Sequence, residues 1–240
     1  MSKLDRNRRR AQIPRVTQLT FSRRGGARRG AGRKPKGAVA LVSHAKRLAL
    51  DARTPVLVTA KLAPGLPNLR RGAARALVWR ALGAAKSRFD VRVIHFSLQS
   101  NHLHAIVEAR DERALGRAMK GLCVRIARAL NRVLEREGRV FADRYHARHL
   151  RTPREVRYAL AYTLSNARKH GVRVEGIDPC SSGAAFDGWR ERGAHALAVL
   201  ASSAFAMPPV AAARSWLLRA GWRRHGLLGI ADAPGGKVHR

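Results

Sequence analysis

The segment VRVIHFSLQSNHLHAIVEA, residues 91–109, holds two apolar runs joined by a short polar Ser-Asn pair. Runs of β-branched and aromatic residues on both sides of a polar turn predict an antiparallel β-hairpin. Alternate side chains of a strand share a face, so His102 and His104 point one way and Leu103 points the other. Two imidazoles on one face either bind one metal ion together or lie side by side on a solvated surface. The hairpin alone does not distinguish the metal site from the solvated surface.

The residues around the hairpin predict further strands and helices in alternation. We predict a strand at 55–62, a helix at 71–88, a helix at 111–137, a strand at 141–150 and a helix at 153–170. The helical assignments rest on apolar residues spaced three and four apart. Strand, helix, hairpin, helix, strand and helix in this order predict an α+β fold, with helices packed on an antiparallel sheet.

The last predicted helix has a complete N-terminal signature. Thr152 is placed as its N-cap, Pro153 occupies the first helical position and Glu155 completes a capping box. Each of these residue types satisfies or tolerates the free amide groups at a helix start. The start of this helix is therefore the best-defined boundary in the sequence.

Three polar side chains follow in the same helix at intervals of four residues: Tyr158, Tyr162 and Asn166. This spacing predicts that all three lie on one helix face. Tyrosine can act as a nucleophile that forms a covalent intermediate, and an amide oxygen one turn away can complete a metal site. The alternative is that both tyrosines pack in an amphipathic core, with their hydroxyls at its rim.

The charge of the chain indicates its partner. It has 49 Lys and Arg against 15 Asp and Glu, which gives a formal net charge of +34. Such an excess repels itself unless a polyanion is bound, and nucleic acid is the commonest polyanion. A membrane surface would require a basic amphipathic helix, and the basic N-terminus lacks that periodicity. We therefore expect nucleic acid as the partner and no membrane partner.

Composition divides the chain into three parts. Residues 1–50 are rich in Arg, Gly and Lys and predict a disordered basic arm, residues 51–172 form the folded domain, and residues 173–240 predict an irregular, partly helical C-terminal appendage. Cys123 and Cys180 show neither CxxC spacing nor a disulfide framework, which is typical of a reducing cytoplasm. The apolar runs are too short to span a bilayer.

The order of the motifs resembles one enzyme family. NHLH on a hairpin strand, a long helix, FADRYHARHL and a capped helix bearing AYTLSNARKHG resemble the single-tyrosine HUH transposases, and most of all the REP-associated tyrosine transposases. HUH denotes two histidines separated by a bulky hydrophobic residue. The resemblance spans roughly residues 55–171. Relatives commonly have proline after the helical amide, where this chain has Ala167.

The resemblance implies a fold, an activity and a site. It implies a ferredoxin-like HUH domain in which His102, His104 and Asn166 hold Mg²⁺ or Mn²⁺. Tyr162 maps to the nucleophile and Tyr158 is the alternate nucleophile. The implied activity is metal-dependent cleavage and rejoining of single-stranded DNA at hairpin-forming repeats, through a 5′-phosphotyrosine, by a monomer or homodimer in the bacterial nucleoid.

Two other functions remain open on the sequence. One is a domesticated protein of the same fold that binds DNA hairpins without catalysis. The other is a structural basic protein, such as a ribosome-associated factor, for which the histidine pair and the tyrosines would be coincidental. Covalent capture of DNA separates the first reading from both alternatives.

Basic residues near the predicted site are expected to contact DNA phosphates. These are Arg144, Arg148 and Arg151 in and after the last strand, with Lys120, Arg125 and Arg128 of the long helix extending the same surface. Two further residues are assigned from position alone. His95 is a candidate for orienting a ligand histidine. Glu108 is either a partner of the metal-ligating residues or a surface carboxylate, and we expect the surface carboxylate.

Overall fold

The computed structural model describes residues 49–88, 90–169, 171–191 and 207–232. The predicted basic arm therefore lies outside the described residues, except for its last two positions. The elements in chain order are β1 (Val56–Lys61), α1 (Gly72–Ala85), β2 (Ser87–Arg88), β3 (Val91–Leu98), β4 (His102–Ala109), α2 (Glu112–Val133), β5 (His146–His149), α3 (Pro153–Leu164), α4 (Asn166–Lys169) and α5 (Trp216–Arg219).

The strands form one antiparallel sheet in the order β2-β3-β4-β1-β5. The succession β1-α1-β3-β4-α2-β5 is the ferredoxin-like pattern. The predicted α+β fold with helices on an antiparallel sheet is thus confirmed, and so is the hairpin of β3 and β4. Within the described residues, every helix is too short or too polar to cross a lipid bilayer.

The first face of the sheet is covered by α1 and α2. From β4, Leu103, Ala105 and Val107 point into this core. The apolar residues predicted to form a buried stripe on α2 are Leu115, Met119, Leu122, Ile126, Leu130 and Val133. All but the last are almost fully covered, whereas Val133, in the last turn, is 50% exposed, so the stripe ends at Leu130. Period-two alternation in the strand and the three-to-four spacing in the helix thus meet in one layer.

The second face of the sheet is covered by α3 and by the C-terminal segment, residues 177–191 and 207–230. Ile94 and Ile106 of the hairpin pack against Val156 and Leu160 of α3. Strand alternation places His102 and His104 on this second face, since Leu103 and Ala105 face the first core. The histidine pair therefore lies on the face that carries the tyrosine helix.

Trp222 joins the C-terminal segment to the hydrophobic core on the second face of the sheet. We call this core the second core. Its ring centroid lies 5.4 Å from that of Phe186, and its indole Nε1 donates to the carbonyl of Leu218 at 3.0 Å. A Cβ added at Gly188 would approach the Trp222 ring to 2.3 Å, so the backbone passes against the indole. The C-terminal segment is thus a packed layer of the sheet.

We expect the Trp222→Ala variant to lose about 3–5 kcal/mol of unfolding free energy, because a fully buried indole leaves a cavity that closes only in part. Urea denaturation of the full chain measures this loss. The matched control is Trp216→Ala, since Trp216 is 51% exposed and should change the free energy by no more than about 0.5 kcal/mol. Equal, small effects for both variants would show that the segment contributes little to the core.

The predicted strand at 141–150 is longer than the observed one. β5 spans only His146–His149, and Phe141 forms an isolated bridge with Leu62. The carbonyl oxygens of Phe141 and Ala142 accept hydrogen bonds from the guanidinium of Arg139. Residues 142–144 form a bend, so the backbone changes direction before it joins the sheet at His146.

Candidate functional site

A row of polar side chains crosses the sheet on its second face. Thr59 of β1 is in register with His104 of β4 on one side and with His146 of β5 on the other. Lys61 pairs with His102 in the next row. Directly paired residues of an antiparallel sheet share a face, so these side chains all project toward α3. The sheet register therefore brings the histidine pair beside the tyrosine helix.

The two histidines lie against each other at the start of β4. Their ring centroids are 4.6 Å apart and the planes are nearly perpendicular. His104 Nδ1 lies 2.9 Å from the Thr59 hydroxyl oxygen, and His102 Nδ1 lies 2.8 Å from the side-chain oxygen of Asn101. Each Nδ1 is thus engaged by an oxygen, so Nε2 is the nitrogen of each ring that could ligate a metal. Metal-binding histidines are usually oriented in this way.

Tyr162 joins the pair from α3. The centroid of its ring is 5.0 Å from that of His104, and both rings line an open groove of about 640 Å³ together with His102. Lys169 Nζ lies 4.9 Å from the centroid of the Tyr162 ring. Sequence reasoning missed Lys169. The available signal was that Lys169 follows Tyr162 by seven residues in the predicted helix, because residues i and i+7 share a face of a continuous helix.

Tyr158 lies one turn before Tyr162 and has different surroundings. It is 43% exposed, and the guanidinium of Arg154 lies over its ring and donates to its hydroxyl at 3.3 Å. The groove of the histidine pair is lined by Tyr162 and not by Tyr158. The geometry therefore favours Tyr162 as the tyrosine that acts with the histidines.

Asn166 is separated from Tyr162 by a break in the helix. The single predicted helix ends at Leu164, Ser165 leaves helical geometry at φ −107° and ψ 12°, and α4 begins at Asn166. Serine favours such ends because its side chain competes with helical backbone bonds. The Asn166 side chain is completely buried, and neither its nitrogen nor its oxygen has a hydrogen-bond partner in the described part of the chain. A buried amide without partners is costly and suggests a missing ligand.

The two imidazoles fit a divalent cation, because each can supply a nitrogen ligand. The buried Asn166 oxygen is an acceptor without a hydrogen-bond partner in the described residues, but Asn166 is not among the residues that line the groove of His102 and His104. No group of three or more His, Cys, Asp or Glu side chains in the described ranges is arranged to hold a metal. A cation in the groove would therefore be held by imidazoles and water, which suits an open catalytic site better than a closed structural one. The part of Asn166 as a further ligand stays a prediction.

The Thr59→Val variant is expected to bind Mn²⁺ about 10–100-fold more weakly, because valine keeps the shape of threonine and removes the oxygen that orients His104. Thr59→Ser retains the hydroxyl and should bind like the wild type. Isothermal titration with Mn²⁺ alone measures both affinities and does not depend on activity. Equal affinities for Thr59→Val and the wild type would show that His104 needs no such support.

The predicted DNA-contacting residues separate into two groups. Arg144, Arg148 and Arg151 are exposed in and beside β5, and Arg148 forms a 3.4 Å ion pair with Glu155. Lys120, Arg125 and Arg128 belong to α2, which covers the opposite face of the sheet. The prediction that these three extend the surface around the histidines is therefore wrong. Their contact with DNA elsewhere stays a prediction.

His95 does not support the histidine pair. Its Nδ1 lies 3.2 Å from the Ser182 hydroxyl, and its ring packs edge-on against Phe186 at 5.3 Å. Burial lowers the pKa of His95 to about 4, so the imidazole is neutral at physiological pH. It is a satisfied core residue that joins β3 to the C-terminal segment.

Glu108 is buried, and its prediction as a surface carboxylate is wrong. It forms an ion pair with Arg92 and accepts from the backbone amides of Arg214 at 3.0 Å and Ser215 at 2.7 Å. Burial acts to raise the pKa of Glu108, but the ion pair and the amides outweigh it and hold the pKa below its ordinary value. The carboxylate anchors the C-terminal segment to β4.

The chain has a detectable similarity to a solved structure. No protein-family model matches the sequence, and no curated protein matches it. Among solved structures, the chain is similar to that of a REP-associated tyrosine transposase bound to a REP hairpin. The identity is 16% and the TM-score is 0.46, over 59% of this chain and 82% of that chain. A similarity this low assigns no function, so the function is proposed from the side chains of the groove.

Proposed function

We propose that this protein cleaves and rejoins single-stranded DNA, with Tyr162 as the nucleophile and with Mg²⁺ or Mn²⁺ held by His102, His104 and Asn166. The observation that supports this most directly is the packing of the Tyr162 ring 5.0 Å from His104, in the groove that also contains His102. A tyrosine beside two oriented imidazoles is the arrangement that the resemblance to HUH transposases implies.

The bound cation would polarise the scissile phosphate and offset the negative charge that develops on it. Side chains of the protein orient the imidazoles and attract the phosphate. Thr59 and Asn101 fix the orientation of the imidazoles. The Lys169 ammonium, beside the Tyr162 ring, attracts the phosphate to the nucleophile. The groove is open, so an unpaired strand can enter it.

The proposed reaction exchanges one phosphoester bond for another, so the number of phosphoester bonds stays the same. The Tyr162 oxygen attacks phosphorus, the bond from phosphorus to the 3′-oxygen breaks, and a 5′-phosphotyrosine forms. The 3′-oxygen takes up a proton, and the phenol loses its proton to solvent through the open groove. A 3′-hydroxyl can then attack the phosphotyrosine, which restores the phenol and joins two DNA ends without ATP.

The net charge of +34 supports DNA as the substrate. Aromatic residues are only 5% of the chain, so recognition of a hairpin by its shape and backbone fits better than extended stacking along an open strand. We therefore propose hairpin-forming DNA, cleaved in an unpaired flank.

The second candidate function is hairpin binding without catalysis. It is favoured because, although His146 also lines the groove, no three His, Cys, Asp or Glu side chains in the described residues are arranged to hold a metal. Both candidates predict DNA binding, and only the first predicts a covalent product.

A trapping assay separates the two candidates. Labelled single-stranded oligonucleotides from the flanks of the gene, with and without a hairpin, are incubated with the full chain and Mn²⁺ and then run on a denaturing gel. The proposal predicts a protein–DNA adduct that needs both Mn²⁺ and an unpaired flank. Tight hairpin binding without any adduct would support the second candidate.

A further inference from the structure

A second cavity adjoins the groove of the histidine pair. It has a volume of about 430 Å³ and lies between α3 and the strands β1 and β5. Thr59 and Tyr162 line both cavities, so the two spaces meet beside the proposed nucleophile. A nucleotide beside a phosphate at Tyr162 would therefore lie near this second cavity. We call it the flanking pocket.

Five of the nine residues that line the flanking pocket are aliphatic or aromatic. Leu57, Leu150 and Ala159 supply aliphatic surface, and the rings of Tyr158 and Tyr162 stand one helical turn apart. Tyr158 is among the few large hydrophobic or aromatic side chains left exposed in the described residues. The guanidinium of Arg154 lies over the Tyr158 ring, and the ring surface that it leaves exposed, beside aliphatic walls, is the kind of surface on which an unpaired nucleobase stacks.

The charges around the flanking pocket suit a nucleotide. Arg148 and Lys169 are cationic and line it, and the Arg154 guanidinium lies 5.6 Å from the centroid of the Tyr158 ring. The one carboxylate of the lining, Glu155, is already engaged. It accepts from the backbone amides of Arg151 and Thr152 and pairs with Arg148. The pocket therefore offers cations to a phosphate and little unpaired negative charge to repel it.

We propose that the flanking pocket binds the base of a nucleotide next to the scissile phosphate, with Tyr158 as its stacking residue. This inference rests on the proposed function, because it takes single-stranded DNA as the occupant. It gives Tyr158 a role in substrate binding instead of catalysis. The volume of the flanking pocket lies within the range of about 300–1,000 Å³ found for small-molecule sites, which is enough for one nucleotide. The pocket thus makes the base beside the cleavage point a determinant of specificity.

Binding of an oligothymidylate of about 15 nucleotides tests the role of Tyr158, with fluorescence anisotropy as the readout. The Tyr158→Ala variant should bind about ten-fold more weakly, because loss of one stacked base typically has an effect of this size. Tyr158→Phe keeps the ring and should bind within about two-fold of the wild type. Because Tyr158 is exposed, its truncation leaves the core intact. Trp216→Ala removes another exposed ring, outside the pocket, and is the matched control.

A fully abasic strand of the same length separates stacking from phosphate attraction. Wild type and Tyr158→Ala should bind this probe equally, since it has no base to stack. Photocrosslinking of an oligothymidylate with a single 5-iododeoxyuridine should, in addition, label Tyr158 in the peptide of residues 158–168.

Two results would overturn the inference. One is unchanged oligothymidylate binding by Tyr158→Ala, and the other is an equal loss on the abasic strand. Failure of the flanking pocket is distinguishable from failure of the proposed function. An adduct at Tyr162 with normal binding by Tyr158→Ala rejects the pocket alone, whereas stacking at Tyr158 without any adduct rejects the catalytic proposal alone.

Discussion

The Tyr162→Phe variant is expected to form no covalent adduct with DNA, a loss of at least about 1,000-fold relative to the wild type. The substitution removes only the phenolic oxygen. The ring that packs against His104 and lies beneath the Lys169 ammonium remains, so folding and DNA binding should persist. The trapping gel measures the adduct, and anisotropy with the same oligonucleotide measures binding. The pair of readouts isolates the chemical step.

Two tyrosine variants control for this result. Tyr158→Phe should still form the adduct, because Tyr158 does not line the groove of the histidine pair. Tyr145 lies against the hydrophobic core on the opposite face of the sheet. Tyr145→Phe therefore serves as the control outside the site. An adduct that survives in Tyr162→Phe and disappears in Tyr158→Phe would move the nucleophile one turn toward the start of the helix.

The second large effect is expected from the histidines. His104→Ala should weaken Mn²⁺ binding by at least about 100-fold and abolish Mn²⁺-dependent cleavage, since one of two imidazole ligands is lost. His104 is 3% exposed, so its variant is first compared with the wild type by thermal unfolding. His102→Ala removes the half-buried partner and should show the same losses with less effect on stability. Titration with Mn²⁺ and the trapping gel are the two measurements.

His225→Ala is the matched control for these variants. His225 is an exposed imidazole of the C-terminal segment, so its removal should leave Mn²⁺ affinity and cleavage unchanged. Normal Mn²⁺ affinity in folded His102→Ala and His104→Ala would contradict the metal site. Normal affinity combined with lost cleavage would instead assign the histidines to proton transfer or substrate binding.

The sequence predicted the parts of the site that depend on local patterns. Alternation in β4 put His102 and His104 on one face, and the capping box at Thr152 and Glu155 defined the start of α3, as the structure confirms. Both signals are contained within a few residues, because strand pleat and helix caps are set by the nearest backbone.

The parts that sequence reasoning missed depend on contacts between distant segments. The burial of Glu108 requires Arg214 and Ser215, more than 100 residues later. The side of the sheet taken by α2 depends on how the whole layer packs, so the spacing of Lys120, Arg125 and Arg128 gave no indication of it. The break at Ser165 was missed because the helical periodicity continues across it.

The C-terminal segment shows the same limitation. Its irregular sequence has no periodicity that would predict a packed layer, yet Phe186, Trp189 and Trp222 enter the second core. Their burial comes from the sheet face that they cover, which short-range patterns do not encode. Large aromatic residues in an irregular segment were the one available signal.

The most direct test of the central proposal is to locate the DNA on the protein. The adduct formed with Mn²⁺ is digested with nuclease and trypsin, and the peptide of residues 158–168, which contains both tyrosines of α3, is sequenced by tandem mass spectrometry. The account predicts a phosphonucleotide on Tyr162 and none on Tyr158. A modification on Tyr158, on any other residue, or on none would contradict the assignment of Tyr162 as the nucleophile.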